Sequence, residues 1–159
     1  MTLSYLKELD MKEDHLKLAA EHGTPLFILD HEIIRENYRT FKKHLPRVQC
    51  YYAVKANSTQ QIVETLFKEG SSFDVASYNE FMQVYQYIKH FDTKEKKHFV
   101  WDKIIFSNTI KDRTTLQKIK QYKPLVTYDN AAEVKKLKEY CDTAGLVFQP
   151  VLSIHLYYC

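Results

Sequence analysis

The chain has 159 residues, of which 45% are hydrophobic and 27% charged, and a formal net charge of +3 at pH 7. This composition is typical of one globular domain and excludes a disordered chain. The small, dispersed charge gives no argument for nucleic acid as a partner, and we expect none. No run reaches the roughly 20 apolar residues of a membrane span, so we expect no membrane partner either. Three scattered cysteines, at positions 50, 141 and 159, indicate neither a metal site nor a disulfide framework, so we expect no metal and a cytoplasmic location.

The first third of the chain predicts two helices and two strands. Leucines at helical spacing predict a helix over residues 1–22, which Gly23 ends. An apolar run predicts a short strand over 26–29. A second helix follows Asp30, its expected N-cap, and aromatic and β-branched residues predict a strand over 48–54.

Further along, short apolar runs alternate with helical patterns. Strands are predicted over 73–76, 104–107, 125–128 and 147–154. Capping boxes at three helix starts are expected from Ser58 with Gln61, Ser77 with Glu80, and Asn130 with Glu133.

Two other features interrupt or end these elements. Residues 89–103 are charged, and we interpret them as a surface connection whose Trp101 packs back onto the body. Gly70 and Gly145 are each expected to end a helix.

A strict alternation of strands and helices predicts parallel strands joined by right-handed crossovers. Two architectures fit this pattern: an open doubly wound sheet, and part of a (β/α)8 barrel. In both, the chemistry lies at the carboxyl ends of the strands. Lys55, Asp74, Asn108 and Asp129 all fall at such ends.

Lys55 is the most unusual of these residues, because it directly follows an apolar run. One interpretation is that its amine lies past the strand end and reaches water. The other is that the amine is held in a cleft, where it acts as a nucleophile. Position alone does not decide between them.

The surrounding residues resemble a known family. The segment Tyr52-Ala53-Val54-Lys55-Ala56-Asn57 is similar to the pyridoxal-phosphate lysine motif of the alanine-racemase-like decarboxylases, which act on ornithine, lysine, diaminopimelate or arginine. Further similar blocks follow the same order, at 23–30, 73–77 with Glu80, 107–111 and 125–129. The resemblance implies an α/β fold that is the N-terminal portion of a (β/α)8 barrel, with about five parallel strands. The block 108–111 is most similar to bacterial ornithine/lysine decarboxylases.

The resemblance also implies roles for individual residues. Lys55 would form a Schiff base with the cofactor, pyridoxal phosphate, and Asp74 would lie near this lysine and orient it; both would be catalytic. Ala53 would leave space beneath the cofactor ring, and Glu80 would join Lys55 and Asp74 in binding the cofactor. The alternatives are that Asp74 is a solvated strand-end residue and that Glu80 only caps a helix.

The implied activity is decarboxylation of a basic amino acid of the ornithine/lysine type, in polyamine biosynthesis. The partners would be the amino-acid substrate and, in the full-length family form, a second copy in a homodimer. Which basic amino acid is used stays open. A non-catalytic decarboxylase-like binding module and a pyridoxal-phosphate carrier are the alternative functions.

The resemblance divides the chain at residue 30. Residues 1–30 would supply a helix and a strand of a separate β-domain, and 31–159 part of the cofactor-binding barrel. The family's phosphate-binding and substrate-binding groups would follow residue 159. We therefore expect a truncated barrel that decarboxylates nothing by itself.

Overall fold

The computed structural model describes residues 13–141 and 145–148. The chain divides into two compact units, Met1–His31 and Glu32–Cys159. The described part of the first unit contains α1 (Glu13–His22). Its end at Gly23 confirms the prediction, because Gly23 has a φ of +83° and donates its N–H to Ala19 O at 3.0 Å. Residues 1–12 of the predicted helix lie outside the described residues.

The predicted strand over 26–29 is wrong. In the described residues this segment forms no strand and pairs with no other strand. An apolar run becomes a strand only when a neighbouring strand takes up its N–H and C=O groups.

The second unit alternates strands and helices. The strands are β1 (Tyr51–Ala53), β2 (Ser72–Val75), β3 (Ile104–Phe106), β4 (Leu125–Tyr128) and β5 (Gly145–Phe148). The helices are α2 (His31–His44), which begins at the boundary between the units, α3 (Gln60–Lys68), α4 (Tyr78–Tyr85), α5 (Thr93–Lys103), α6 (Arg113–Ile119) and α7 (Ala131–Tyr140). Short 3₁₀ turns follow three of these elements, at Val54–Ala56, Gln86–Ile88 and Lys120–Tyr122.

All five described strands form one sheet in the order β1-β2-β3-β4-β5, and every neighbouring pair is parallel. A doubly wound sheet reverses its strand order at a switch point, whereas a barrel adds each strand beside the previous one. The sequential order therefore confirms the barrel-type α/β prediction.

The two faces of the sheet differ in burial. Phe73 and Val75 of β2 and Phe106 of β3 are fully buried. Asp74 and Ile105, which alternate with them, are only half-buried. Successive side chains of a strand point to opposite faces. One face therefore carries the core with the helices, and the other carries Asp74.

Residues 93–103 correct the sequence analysis, because the predicted surface connection is the helix α5. Asp92 Oδ1 accepts hydrogen bonds from the N–H groups of Lys94 and Glu95, at 2.7 and 2.8 Å, and Glu95 Oε2 accepts from Asp92 N at 2.9 Å. This capping box is the signal that the sequence analysis missed. Only Val100 of this helix is buried. Trp101 is 51% exposed, so it packs back onto the body only in part, beside Gln121 and Tyr122.

Several predicted boundaries also shift. The strand expected over 48–54 is limited to β1, because the chain turns into a 3₁₀ segment at Val54. The Ser58–Gln61 capping box does not form; Thr59 is the N-cap of α3, and Asn57 Oδ1 accepts from its N–H at 3.1 Å. Gly145 begins β5 and does not end α7.

Other details follow the sequence pattern. Gly70 follows α3 with a φ of +79°, as a helix-ending glycine does. Of the strand predicted over 147–154, the part after Phe148 lies outside the described residues. Within the described ranges, no helix has both the length and the apolar character that crossing a bilayer requires.

Two aromatic residues test this distribution of core and surface. Phe81 is fully buried and lies 4.9 Å from the ring of Tyr122, centroid to centroid. Phe81→Ala should lower the free energy of unfolding by about 3–5 kcal/mol, because it leaves a cavity. Trp101→Ala should lower it by no more than about 1 kcal/mol, because that side chain already contacts solvent. Urea denaturation followed by circular dichroism measures both, and equal losses would contradict the exposed position of Trp101.

Candidate functional site

The candidate site lies where β1 and β2 end. Lys55 is exposed in the 3₁₀ turn Val54–Ala56 that directly follows β1. The register places Ala53 opposite Asp74. The charge of Lys55 acts on the carboxyl group of Asp74 across this pair of strands. The structure thus brings together the two residues that were predicted to be catalytic.

Asp74 is in an unusual electrostatic environment. Burial raises the pKa of its carboxyl group, the nearby Lys55 ammonium lowers it, and the Glu80 carboxylate raises it; the net effect is a raised pKa. Its Oδ1 is buried and has no hydrogen-bond partner among the described residues. A buried acceptor without a donor costs free energy. Such an oxygen is therefore available to a donor group of a ligand.

A second unpartnered polar atom lies on the same face of the sheet. Asp74 is opposite Ile105, and Ile105 is opposite Leu125, which precedes Thr127 by two residues. Since residues two apart in a strand share a face, Thr127 points to the same side as Asp74. Thr127 Oγ1 is buried and unpartnered within the described part of the chain. The sequence analysis did not predict a role for this hydroxyl. The one available signal was that Thr127 lies on a predicted strand.

Ala53 completes this part of the face. It is half-buried beside Asp74, and its methyl group is the smallest side chain that keeps the strand regular. A group larger than a methyl would occupy the space next to the Asp74 carboxyl. The position is consistent with the space that the sequence analysis expected at Ala53.

Glu80 has a structural partner at the end of β2. Its Oε2 accepts a hydrogen bond from Ala76 N at 2.9 Å, and its own N–H donates to Ser77 Oγ at 3.2 Å. The Ser77 half of the predicted capping box is therefore formed, while the Glu80 side chain reaches one residue further back than a capping box requires. Glu80 acts on Asp74 through its charge and binds the backbone beside it.

Ser107 and Asn108, which follow β3, hold the same stretch of backbone from the neighbouring strand. Asn108 Nδ2 donates to Ala76 O at 3.2 Å, and Ser107 N donates to Val75 O at 2.9 Å. The backbone just after Asp74 is consequently fixed by groups from both neighbouring segments. This fixed strand end is the kind of rigid support that a binding residue needs.

A buried ion pair lies one strand further along, and the sequence analysis did not predict it. Lys111 Nζ donates to Glu133 Oε1 at 2.8 Å, and the two side chains are 1% and 4% exposed. The Asn130 half of the predicted capping box forms, because Glu133 N donates to Asn130 Oδ1 at 2.9 Å, whereas Glu133 Oε2 accepts from Asp129 N at 3.4 Å, one residue before the N-cap. The one sequence signal for the pair was that both residues follow neighbouring parallel strands, whose ends meet at one edge.

No group of three or more metal-ligating side chains occurs among residues 13–141 and 145–148. The Asp74 oxygen that lacks a partner among these residues, the exposed Lys55 amine and the small Ala53 fit an organic cofactor with a carbonyl group and a hydrogen-bond donor. This set of residues can hold such a group and place a positive charge beside it.

Comparison with known proteins identifies this set of residues more closely. The sequence model of the family described as pyridoxal-dependent decarboxylase, pyridoxal binding domain, matches residues 31–154. The lysine/ornithine decarboxylase of Selenomonas ruminantium is 30% identical over 134 residues, which cover 83% of this chain and 32% of that protein. The chain thus spans about a third of the length of this curated relative.

Solved structures show the same similarity. A lysine decarboxylase from Selenomonas ruminantium superposes with a TM-score of 0.72 and 28% identity, over 91% of this chain and 37% of that chain. A lysine/ornithine decarboxylase from Vibrio vulnificus, complexed with putrescine, superposes with a TM-score of 0.69 and 30% identity, over 85% of this chain and 35% of that chain. The predicted family, its pyridoxal cofactor and the barrel-type fold are confirmed.

The raised pKa of Asp74 has a consequence for stability that can be measured. The folded chain binds a proton at Asp74 more tightly than the unfolded chain, where an aspartate titrates near pH 3.9. The contribution of Asp74 to stability is therefore most favourable below that pH and is lost as the pH rises through the raised pKa. Asp74→Asn should raise the Tm at pH 7, and the difference should shrink as the pH falls to about 4.

Asp112 is the matched control, because hydrogen bonds from Thr115 hold its pKa below the usual value. Its contribution has the opposite sign, so Asp112→Asn should lower the Tm at pH 7. Differential scanning calorimetry across this pH range measures both. A lower Tm for Asp74→Asn at pH 7 would contradict the electrostatic environment described here.

Proposed function

The chain belongs to the pyridoxal-dependent decarboxylases, and on that premise we propose that it is part of the cofactor-binding barrel of an enzyme that decarboxylates a basic amino acid. The observation that carries the proposal is that Lys55 lies near Asp74 at the carboxyl ends of parallel strands, while Asp74 Oδ1 has no hydrogen-bond partner among the described residues. In a barrel, this is the edge at which catalytic residues occur.

Lys55 is the residue to which we assign covalent attachment of the cofactor. Lys55 is exposed just after β1, and its charge interacts with the carboxyl group of Asp74. A carboxylate on the neighbouring strand attracts the ammonium and keeps it at the edge of the sheet. Lys55 Nζ can thereby hold a proton close to the substrate.

Pyridoxal phosphate, when bound, supplies the sink for the electron pair left by departing carbon dioxide. The residues of this chain orient the cofactor and hold protons around it. With the cofactor bound, Asp74 would accept a hydrogen bond from it through Oδ1, and the charge of Asp74 would orient Lys55. Ala53 leaves space for a ring, and Glu80 keeps the end of β2 in place through Ala76 N.

We assign the substrate to the ornithine/lysine class. Support comes from the Selenomonas ruminantium and Vibrio vulnificus proteins, whose names give lysine and ornithine as substrates. Decarboxylation of either amino acid produces a diamine, which places the activity at the start of polyamine biosynthesis. A homodimer of the full-length form and a cytoplasmic location stay predictions that rest on the family resemblance.

Attachment of the cofactor at Lys55 can be tested directly. After incubation with pyridoxal phosphate and reduction with borohydride, peptide mass spectrometry should find one pyridoxyl group on the peptide that carries Lys55. Lys55→Arg should lose this label, because a guanidinium keeps the charge but does not form the linkage. Lys68→Arg, at an exposed lysine of α3, should keep it. Labels spread evenly over the surface lysines would show that Lys55 is not the attachment residue.

A second experiment separates cofactor binding from turnover. The three glycines at positions 23, 70 and 145 are too scattered to form a glycine-rich phosphate loop. The 159-residue chain with pyridoxal phosphate and carboxyl-labelled lysine or ornithine should therefore release no more labelled carbon dioxide than Lys55→Arg does. Release by the unmodified chain that Lys55→Arg abolishes would contradict this expectation.

A further inference from the structure

The ion pair between Lys111 and Glu133 is not explained by stability. Both side chains are almost completely removed from solvent, with an Nζ–Oε1 distance of 2.8 Å. Removing two charges from water is expensive, and replacing a buried ion pair by apolar residues of similar size is often neutral or stabilising. The position of the pair in the fold therefore becomes the relevant question.

The pair fixes the loop that connects β3 to α6. Lys111 Nζ donates a second hydrogen bond to Asn108 O at 2.5 Å, and Lys136 Nζ donates to Lys111 O at 2.8 Å. Both ends of the segment 108–111 are thereby attached to the side of the barrel that carries α7. The same loop is also attached to the end of β2, because Asn108 Nδ2 donates a hydrogen bond to Ala76 O. A continuous series of hydrogen bonds thus runs from Glu133 to the end of β2.

The end of β2 is where the proposed cofactor-binding carboxylate lies. Asp74 precedes Ala76 by two residues, and the backbone between them is held by Ser107 N on Val75 O. Lys111 and Glu133 themselves contact neither Asp74 nor Lys55 in the described hydrogen bonds and ion pairs. Any effect that they have on the cofactor must pass through the loop.

We propose that Lys111 and Glu133 are positioning residues for the cofactor site: their buried ion pair holds the loop 108–111 against the end of β2, so that Asp74 is presented to the cofactor. The inference rests on the proposed function, because it assumes that the cofactor binds beside Asp74. It assigns to the pair a task that a neutral replacement of equal volume cannot perform.

The double variant Lys111→Met/Glu133→Leu separates positioning from stability. Either single substitution leaves one buried charge without its partner, so each should lower the Tm strongly. The double variant removes both charges and should restore most of the Tm. It also removes the hydrogen bond from Lys111 Nζ to Asn108 O, which a positioning role requires.

Two measurements on the double variant test the proposal. Hydrogen exchange of the cofactor-free chain should show lost protection at the amides of Ala76 and Ser107. Titration with pyridoxal phosphate should give a Kd about tenfold higher than that of the unmodified chain. Removing a group that orients a binding residue typically weakens binding by about 10- to 100-fold, and we expect the smaller of these effects. The control double variant, Lys68→Met/Glu64→Leu, removes an exposed ion pair of α3 and should change neither quantity.

Unchanged exchange at Ala76 and Ser107 in the folded double variant would overturn the proposal and leave the pair a purely structural role. If the double variant does not fold, Asn108→Ala takes its place. That variant keeps the ion pair but cuts the connection to Ala76 O, and wild-type exchange at Ala76 in it would overturn the proposal equally. If the unmodified chain binds no pyridoxal phosphate, the proposed function fails, whereas the exchange measurement still decides whether the pair positions the loop.

Discussion

The parallel pairing of the strands is the constraint on which the candidate site depends. Because β1 to β4 all run in the same direction in sequential order, the residues that follow them meet at one edge. Lys55, Asp74, Asn108 and Glu133 come from four separate stretches of the chain, and no local structure would bring them together. The ladder also fixes the register, so that Ala53 lies beside Asp74. A shift of one residue would turn Asp74 into the core.

Two kinds of buried charge occur at this edge, and they differ in how fully they are satisfied. The Glu133 carboxylate accepts hydrogen bonds from Lys111 Nζ at 2.8 Å and from Asp129 N at 3.4 Å. Asp74 has a raised pKa and one buried oxygen that receives no donor from residues 13–141 or 145–148. A satisfied buried network makes a segment rigid, whereas an unsatisfied buried group costs stability and is available to a ligand. The chain places the rigid network directly beside the unsatisfied group, which is the arrangement that a preorganised binding site requires.

The errors of the sequence analysis have physical causes. Residues 93–103 were interpreted as a connection because their many lysines conceal the helical period, although Asp92 and Glu95 mark the helix start. The strand expected over 26–29 fails because a strand requires a partner that no local pattern reveals. The expected Ser58–Gln61 box was wrong because the helix begins one residue later, at Gln60 with Thr59 as its N-cap, and Asn57 Oδ1 accepts from Thr59 N just before it.

The sequence by itself determined the alternation of strands and helices after residue 30 apart from α5, the parallel α/β class and the lysine motif, because periodicity, caps and short motifs are local properties of the chain. It also placed Lys55 and Asp74 at strand ends. Only the tertiary structure decided that Asp74 keeps an oxygen unpartnered within the described part of the chain, that Thr127 faces the same side, and that Lys111 is buried against Glu133. Each of these depends on which groups from distant segments approach within hydrogen-bond distance and exclude water, and no pattern within a single segment carries that information.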